Sequence, residues 1–135
     1  MNVETYLTSL GQKAKAAARA MANLSATEKN KALLAVADGL IANQERILAV
    51  NREEVAAARA AGLKSSFVER LTLNPDRIAG MVEGIREIVR LDDPVGTVEK
   101  MWRRPNGLQI GQMRVPLGVV AIIYEARPNV TVDAA

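Results

Sequence analysis

Apolar positions in the first two thirds of the chain recur at three- and four-residue steps, the spacing of one face of an α-helix. Val3, Tyr6, Leu7, Leu10, Ala14, Ala17, Ala18 and Met21 form the first stripe. Asn23-Leu24-Ser25 interrupts it. Ser25-Ala26-Thr27-Glu28 then has the form of a capping box, with a hydroxyl for a free backbone N–H and a glutamate to return the bond. The helix that follows carries Leu33, Leu34, Ala37, Leu40 and Ile41, and Asn43 reads as a break. Ile47, Leu48, Val55 and Ala56-Ala57-Ala58 continue to Gly62, a natural C-terminal stop, so these pieces are one bent helix or two. Asn74-Pro75 is an N-cap with proline at the first helical position, ahead of the stripe Ile78, Met81, Val82, Ile85, Ile88 and Val89. Leu91-Asp92-Asp93-Pro94 ends it. Between Gly62 and Asn74, Phe67, Val68, Leu71 and Leu73 predict a short helix or turn.

After Pro94 the period changes. Thr97 to Arg104 and Leu108 to Val115 flank Pro105-Asn106-Gly107, and Asn-Gly is a strong hairpin signal because both residues tolerate positive φ. Leu108 and Ile110 share one face while Met113 and Val115 have the opposite parity, so a bulge is expected at Gly111. Leu117-Gly118-Val119-Val120-Ala121-Ile122-Ile123 is apolar on both faces, the pattern of a central strand in a buried parallel sheet. Glu125-Ala126-Arg127-Pro128-Asn129 is a polar turn, and Val130 to Ala135 starts the next helix. A parallel strand needs a neighbour reached through a crossover helix. The chain stops as that crossover begins, and so reads as the front of a larger α/β protein.

Composition narrows the chemistry. Of 135 residues 49% are apolar but only 3% aromatic, so the bulk of the core must be aliphatic, as suits packed helices. There is no cysteine and no histidine, which removes disulfides, Cys/His metal sites, Ser-His-Asp triads and thiol nucleophiles from this stretch. The net charge of +3 is interspersed; Arg103-Arg104 beside Trp102 is the densest basic group. A nucleic-acid partner would call for a basic stripe with stacking aromatics, and none is present. No run is long enough to span a membrane, and Met1-Asn2-Val3-Glu4 lacks the form of a signal peptide. A soluble cytoplasmic protein without a membrane partner is expected.

The segment Arg114-Val115-Pro116-Leu117-Gly118-Val119-Val120-Ala121-Ile122-Ile123-Tyr124-Glu125-Ala126-Arg127-Pro128-Asn129-Val130-Thr131 closely resembles the γ-glutamyl phosphate reductase branch of the aldehyde dehydrogenase superfamily. Tyr124 to Asn129 is the specific part, where the wider superfamily has Pro-Trp-Asn. Asn51-Arg52-Glu53 and Leu71-Thr72-Leu73 also look like that branch. The resemblance covers essentially the whole chain, but only the N-terminal part of the family's longer one. It implies an α/β fold in three parts. Residues 1–95 would be the helical part of the cofactor-binding domain and 96–116 a β-hairpin oligomerisation arm. Residues 117–135 would hold the first strand, a loop and the helix start of a Rossmann-like sheet.

The activity so implied is NADPH-dependent reduction of γ-glutamyl phosphate to glutamate-5-semialdehyde and phosphate in proline biosynthesis. It runs through a cysteine thioester beyond this chain, so the piece alone is expected to be inactive. A homo-oligomer through the 96–116 hairpin and functional coupling to glutamate 5-kinase are the implied partners.

Asn129 matches the asparagine whose amide helps bind the developing oxyanion; the bland alternative is that it caps the helix at Val130. Arg127 suits the substrate's phosphate or carboxylate, or else pairs with Glu125 or another carboxylate. Tyr124 and Glu125 are candidates for the cofactor cleft, with the Tyr124 ring in the core as the preferred alternative. The glycine-rich dinucleotide fingerprint is missing, since Gly107 and Gly111 lie in the hairpin at the wrong spacing. No metal site is expected. A stand-alone helical interaction module with a hairpin arm is the competing reading.

Overall fold

Local backbone chemistry sets the helix ends in the computed structural model, which describes residues 2–135. Helix α1 spans Val3–Met21, with Asn2 Oδ1 accepting from the Glu4 N–H at 3.2 Å. Helix α2 spans Ala26–Ala42 and α3 spans Gln44–Ala60. They are separate helices, broken at Asn43, whose Nδ2 donates back to the Gly39 carbonyl at 2.8 Å. Helix α3 stops at Gly62, where φ is +71° and the Leu63 N–H reaches the Ala58 carbonyl at 3.1 Å. That six-to-one bond is a Schellman closure, and glycine supplies its left-handed residue without a Cβ clash. Helix α4 is Ser65–Leu71 and α5 is Pro75–Val89, opened by Asn74 Oδ1 accepting from the Arg77 N–H at 2.7 Å.

The chain divides into two compact units. One comprises Glu28–Leu91 with Ile122–Ala135 and holds the buried residues. Ala37 of α2 meets Val82 and Ile85 of α5, joined by the half-buried Leu33, Leu40 and Val132. Val132 belongs to a short helix α6, Val130–Asp133, so this contact seats α6 against the core. A second cluster joins Val55 and Ala58 of α3 to Val68 of α4. Ile78 is 1% exposed, Met81 is also buried, and Ile88 of the same predicted stripe faces outward.

One polar side chain is built into this unit. Asn51, 5% exposed, donates Nδ2 to the Leu71 carbonyl at 2.8 Å and accepts from the Leu73 N–H at 2.7 Å. It thereby fixes the backbone leaving α4. Asn51→Ala leaves both backbone groups without their partner, and an orphaned buried group costs about 1–3 kcal/mol. The expected result is a lower urea midpoint at unchanged slope; an unmoved midpoint would mean water replaces the amide.

The other unit holds α1 and the segment Asp92–Ala121. No residue of α1 is buried, so its apolar face, expected to pack, is open in this chain. Strands β1 (Val98–Arg103) and β2 (Gln109–Met113) form the antiparallel hairpin. Its turn differs from the expected one. Only Gly107 takes positive φ, at +87°, and its N–H bonds the Arg104 carbonyl at 2.9 Å. The Arg104 N–H bonds the Leu108 carbonyl at 2.8 Å, giving a three-residue loop that closes on one left-handed glycine. The bulge is also not at Gly111, which pairs in register with Met101. It lies in β1, where Val98 opposes Met113 and Lys100 opposes Gln112, leaving Glu99 extra. The Glu99 carboxylate takes the Arg114 guanidinium at 2.6 Å, which gives the extra residue a partner.

Residues 117–123 do not form the expected strand. They are irregular and exposed, Ile123 completely so. An extended segment becomes a strand only by bonding a neighbour. The only ladder among the described residues is β1 with β2, so nothing here pairs with this run.

Candidate functional site

Ala126, between Glu125 and Arg127, has φ of +53°, the only non-glycine residue at positive φ among those described. For an L-residue with a Cβ this conformation costs about 1–2 kcal/mol. Pro128 biases Arg127 away from helix, and α6 then begins, with the Val130 N–H bonding the Arg127 carbonyl at 3.0 Å. After this turn Arg127, Pro128 and Asn129 face a cleft of about 490 Å³. Its other walls are the end of α4 (Glu69, Arg70), the segment Thr72-Leu73, and Arg77, Gly80 and Met81 of α5, with Asp133 beside Asn129.

Three arginines line this cleft, and they differ in what holds them. Arg77 is tied down: its Nη1 donates to the carbonyls of Glu69 at 2.8 Å and Thr72 at 2.6 Å, and it pairs with the Glu69 carboxylate. It clamps α4 to α5. Arg70 donates Nε to the Ser66 carbonyl of its own helix at 3.1 Å. The Arg127 side chain makes no hydrogen bond or ion pair with any described residue; the alternative pairing with Glu125 is not formed, and Glu125 does not line the cleft. A guanidinium fork without a protein partner, at the mouth of a cleft, is free for an anion.

The capping role for Asn129 is not what the fold uses. Its backbone is already helical (φ −61°, ψ −30°), whereas a capping side chain needs an extended residue to reach forward. Instead Nδ2 donates to Asp133 Oδ2 at 2.8 Å. Tyr124 is not in the core either. It is 45% exposed, and its hydroxyl lies 2.6 Å from Thr131 Oγ1, because the segment it would finish packs in no sheet.

Asp133 escaped the sequence reading, although its four-residue spacing from Asn129 at a helix start was visible. The Arg77 clamp had no local signal, since its partners lie five and eight residues away across a turn. Among the described residues no cluster of His, Cys, Asp or Glu could hold a metal ion, and no helix is long and apolar enough to cross a membrane.

No family model matches the chain. Individual relatives do. The γ-glutamyl phosphate reductase of Moorella thermoacetica is 55% identical over 135 residues, all of this chain and 32% of the relative. That of Carboxydothermus hydrogenoformans is 58% identical over 126 residues, 93% of this chain and 30% of the relative. The crystal structure of the Thermotoga maritima γ-glutamyl phosphate reductase superposes with a TM-score of 0.87 at 43% identity, over 91% of this chain and 30% of that one. Over nearly its whole length the chain is similar to the N-terminal portion of γ-glutamyl phosphate reductases. The Saccharomyces cerevisiae γ-glutamyl phosphate reductase has the same fold over this portion, at a TM-score of 0.86 and 31% identity. The chain spans about a third of the length of the curated relatives it matches.

Proposed function

We propose that this chain supplies the N-terminal part of a γ-glutamyl phosphate reductase, an enzyme that converts γ-glutamyl phosphate to glutamate-5-semialdehyde and phosphate in proline biosynthesis. The observation that carries the reading is the pairing of a free guanidinium, Arg127, with an amide donor, Asn129, on one short loop facing one cleft. Arg127 takes the substrate's phosphate or carboxylate in a forked contact. Asn129 offers an N–H to the carbonyl oxygen as it gains charge under attack by a cysteine thiolate. An amide suits that place because it donates without risk of losing its proton.

The nucleophile comes from outside this chain, which has no cysteine, and the chain alone is inactive. NADPH, when bound, supplies the hydride. The residues present do not by themselves build its site: the glycine-rich turn is missing, Tyr124 is held by Thr131, and Glu125 lies off the cleft. The β1–β2 hairpin, with Met101 and Trp102 exposed, serves as the arm of a cytoplasmic homo-oligomer.

The test uses a reductase of full family length carrying this chain, run in reverse. Glutamate-5-semialdehyde, phosphate and NADP⁺ are expected to give γ-glutamyl phosphate, NADPH and a proton. NADPH formation should require phosphate, because phosphate is the group that releases the acyl chain. Reduction of NADP⁺ at full rate without phosphate would mean that water takes that place, and the acyl-phosphate reading would fail.

A further inference from the structure

We infer that Asp133 is a positioning residue for Asn129, an inference that rests on the oxyanion role proposed for that amide. Arg70, Arg77 and Arg127 line the same cleft, yet the Asp133 carboxylate pairs with none of them. Its hydrogen bond goes to a neutral amide, Asn129 Nδ2, at 2.8 Å. Asn129 is exposed and makes no capping bond, so without Asp133 nothing else described here restrains its side chain.

An ionised carboxylate only accepts. It therefore selects the NH₂ end of the amide and turns Oδ1 away. Nδ2 carries two hydrogens; one goes to Asp133 and the other remains on the same, now located, nitrogen. The flipped amide would set two acceptors against each other. Asp133 thus decides that Asn129 presents a donor, and restricts where that donor sits. The carboxylate's own charge opposes a developing oxyanion, but in a water-exposed cleft that holds Arg127 its reach is short. A plain helix brace is the competing account, since i,i+4 side-chain pairs stabilise helices slightly.

The two accounts separate in a double-mutant cycle on a reductase of full family length carrying this chain. Asp133→Ala is expected to lower kcat about 3- to 10-fold at unchanged KM, the size of ordering one side chain. Asp133→Asn keeps an uncharged acceptor and is expected to recover most of that loss. In an Asn129→Ala background, Asp133→Ala is expected to cost nothing further. An unmoved unfolding midpoint for each variant shows that the changes are not loss of fold. An equal kcat loss in the Asn129→Ala background would overturn the inference, because Asp133 would then act on its own. So would a full-speed Asp133→Ala beside a slow Asn129→Ala, which leaves the oxyanion reading standing. If Asn129→Ala is itself at full speed, the oxyanion reading falls and takes the inference with it.

Discussion

Asn129→Ala, in a reductase of full family length carrying this chain, is expected to lower kcat by about 10²–10³-fold, the effect of losing one oxyanion donor. KM should change little. The ground-state carbonyl is neutral and gains only a modest hydrogen bond from the amide, whereas the tetrahedral oxyanion gains a charge-assisted one. An interaction made chiefly in the transition state shows in kcat. Stability should hardly move, because the side chain is exposed and gives up only its contact with Asp133. Such i,i+4 pairs contribute about 0.2–0.5 kcal/mol. Steady-state kinetics beside urea unfolding read both quantities. A kcat within a factor of two of the parent would sink the assignment, whatever the stability.

The helices were legible because their ends are local. Asn74-Pro75 opens α5 and Gly62 closes α3 through bonds that span three to five residues, which a pattern of neighbours contains. Burial was less legible. The α1 stripe has the right period, but period says which residues share a face and not whether anything covers it. The run 117–123 failed as a strand for a related reason: its composition fits a sheet interior, while pairing belongs to a second segment. Within the hairpin, parity along the second arm put the bulge at Gly111; it lies instead at Glu99 on β1, where the cross-strand ion pair with Arg114 accompanies it.

At the site, the resemblance singled out Asn129, where residue preference alone favours a cap; for Arg127 an anion contact and an ion pair with a carboxylate were equal readings. The fold removes the cap and the ion pair by geometry, one through helical φ and ψ at Asn129 and the other by leaving Arg127 unpaired. What no local pattern contained was the wall opposite them. The Arg77 clamp and the Asn51 bracket join residues five to twenty-two positions apart, and together they hold the end of α4 and the Thr72-Leu73 turn that line the cleft.

Arg127→Ala is expected to act on KM where Asn129→Ala acts on kcat. Hydrogen bonds to charged groups contribute about 1.5–3 kcal/mol each. Two from one guanidinium would exceed that, but Arg127 is exposed and water competes for the same anion. A net loss of about 2–3 kcal/mol is therefore reasonable, or about 30- to 150-fold in KM. Arg127→Lys should recover only part of it, since an ammonium keeps the charge without the fork. Raising the ionic strength should weaken substrate binding to the parent more than to Arg127→Ala, because only the parent has that charge to screen. The reverse reaction identifies which anion the guanidinium holds. If it is the phosphoryl group, the KM for phosphate rises and that for glutamate-5-semialdehyde does not; if it is the carboxylate, the pattern inverts. Should both KM values stay at the parent level, Arg127 binds neither group, and its lack of a protein partner reflects only its exposure to water.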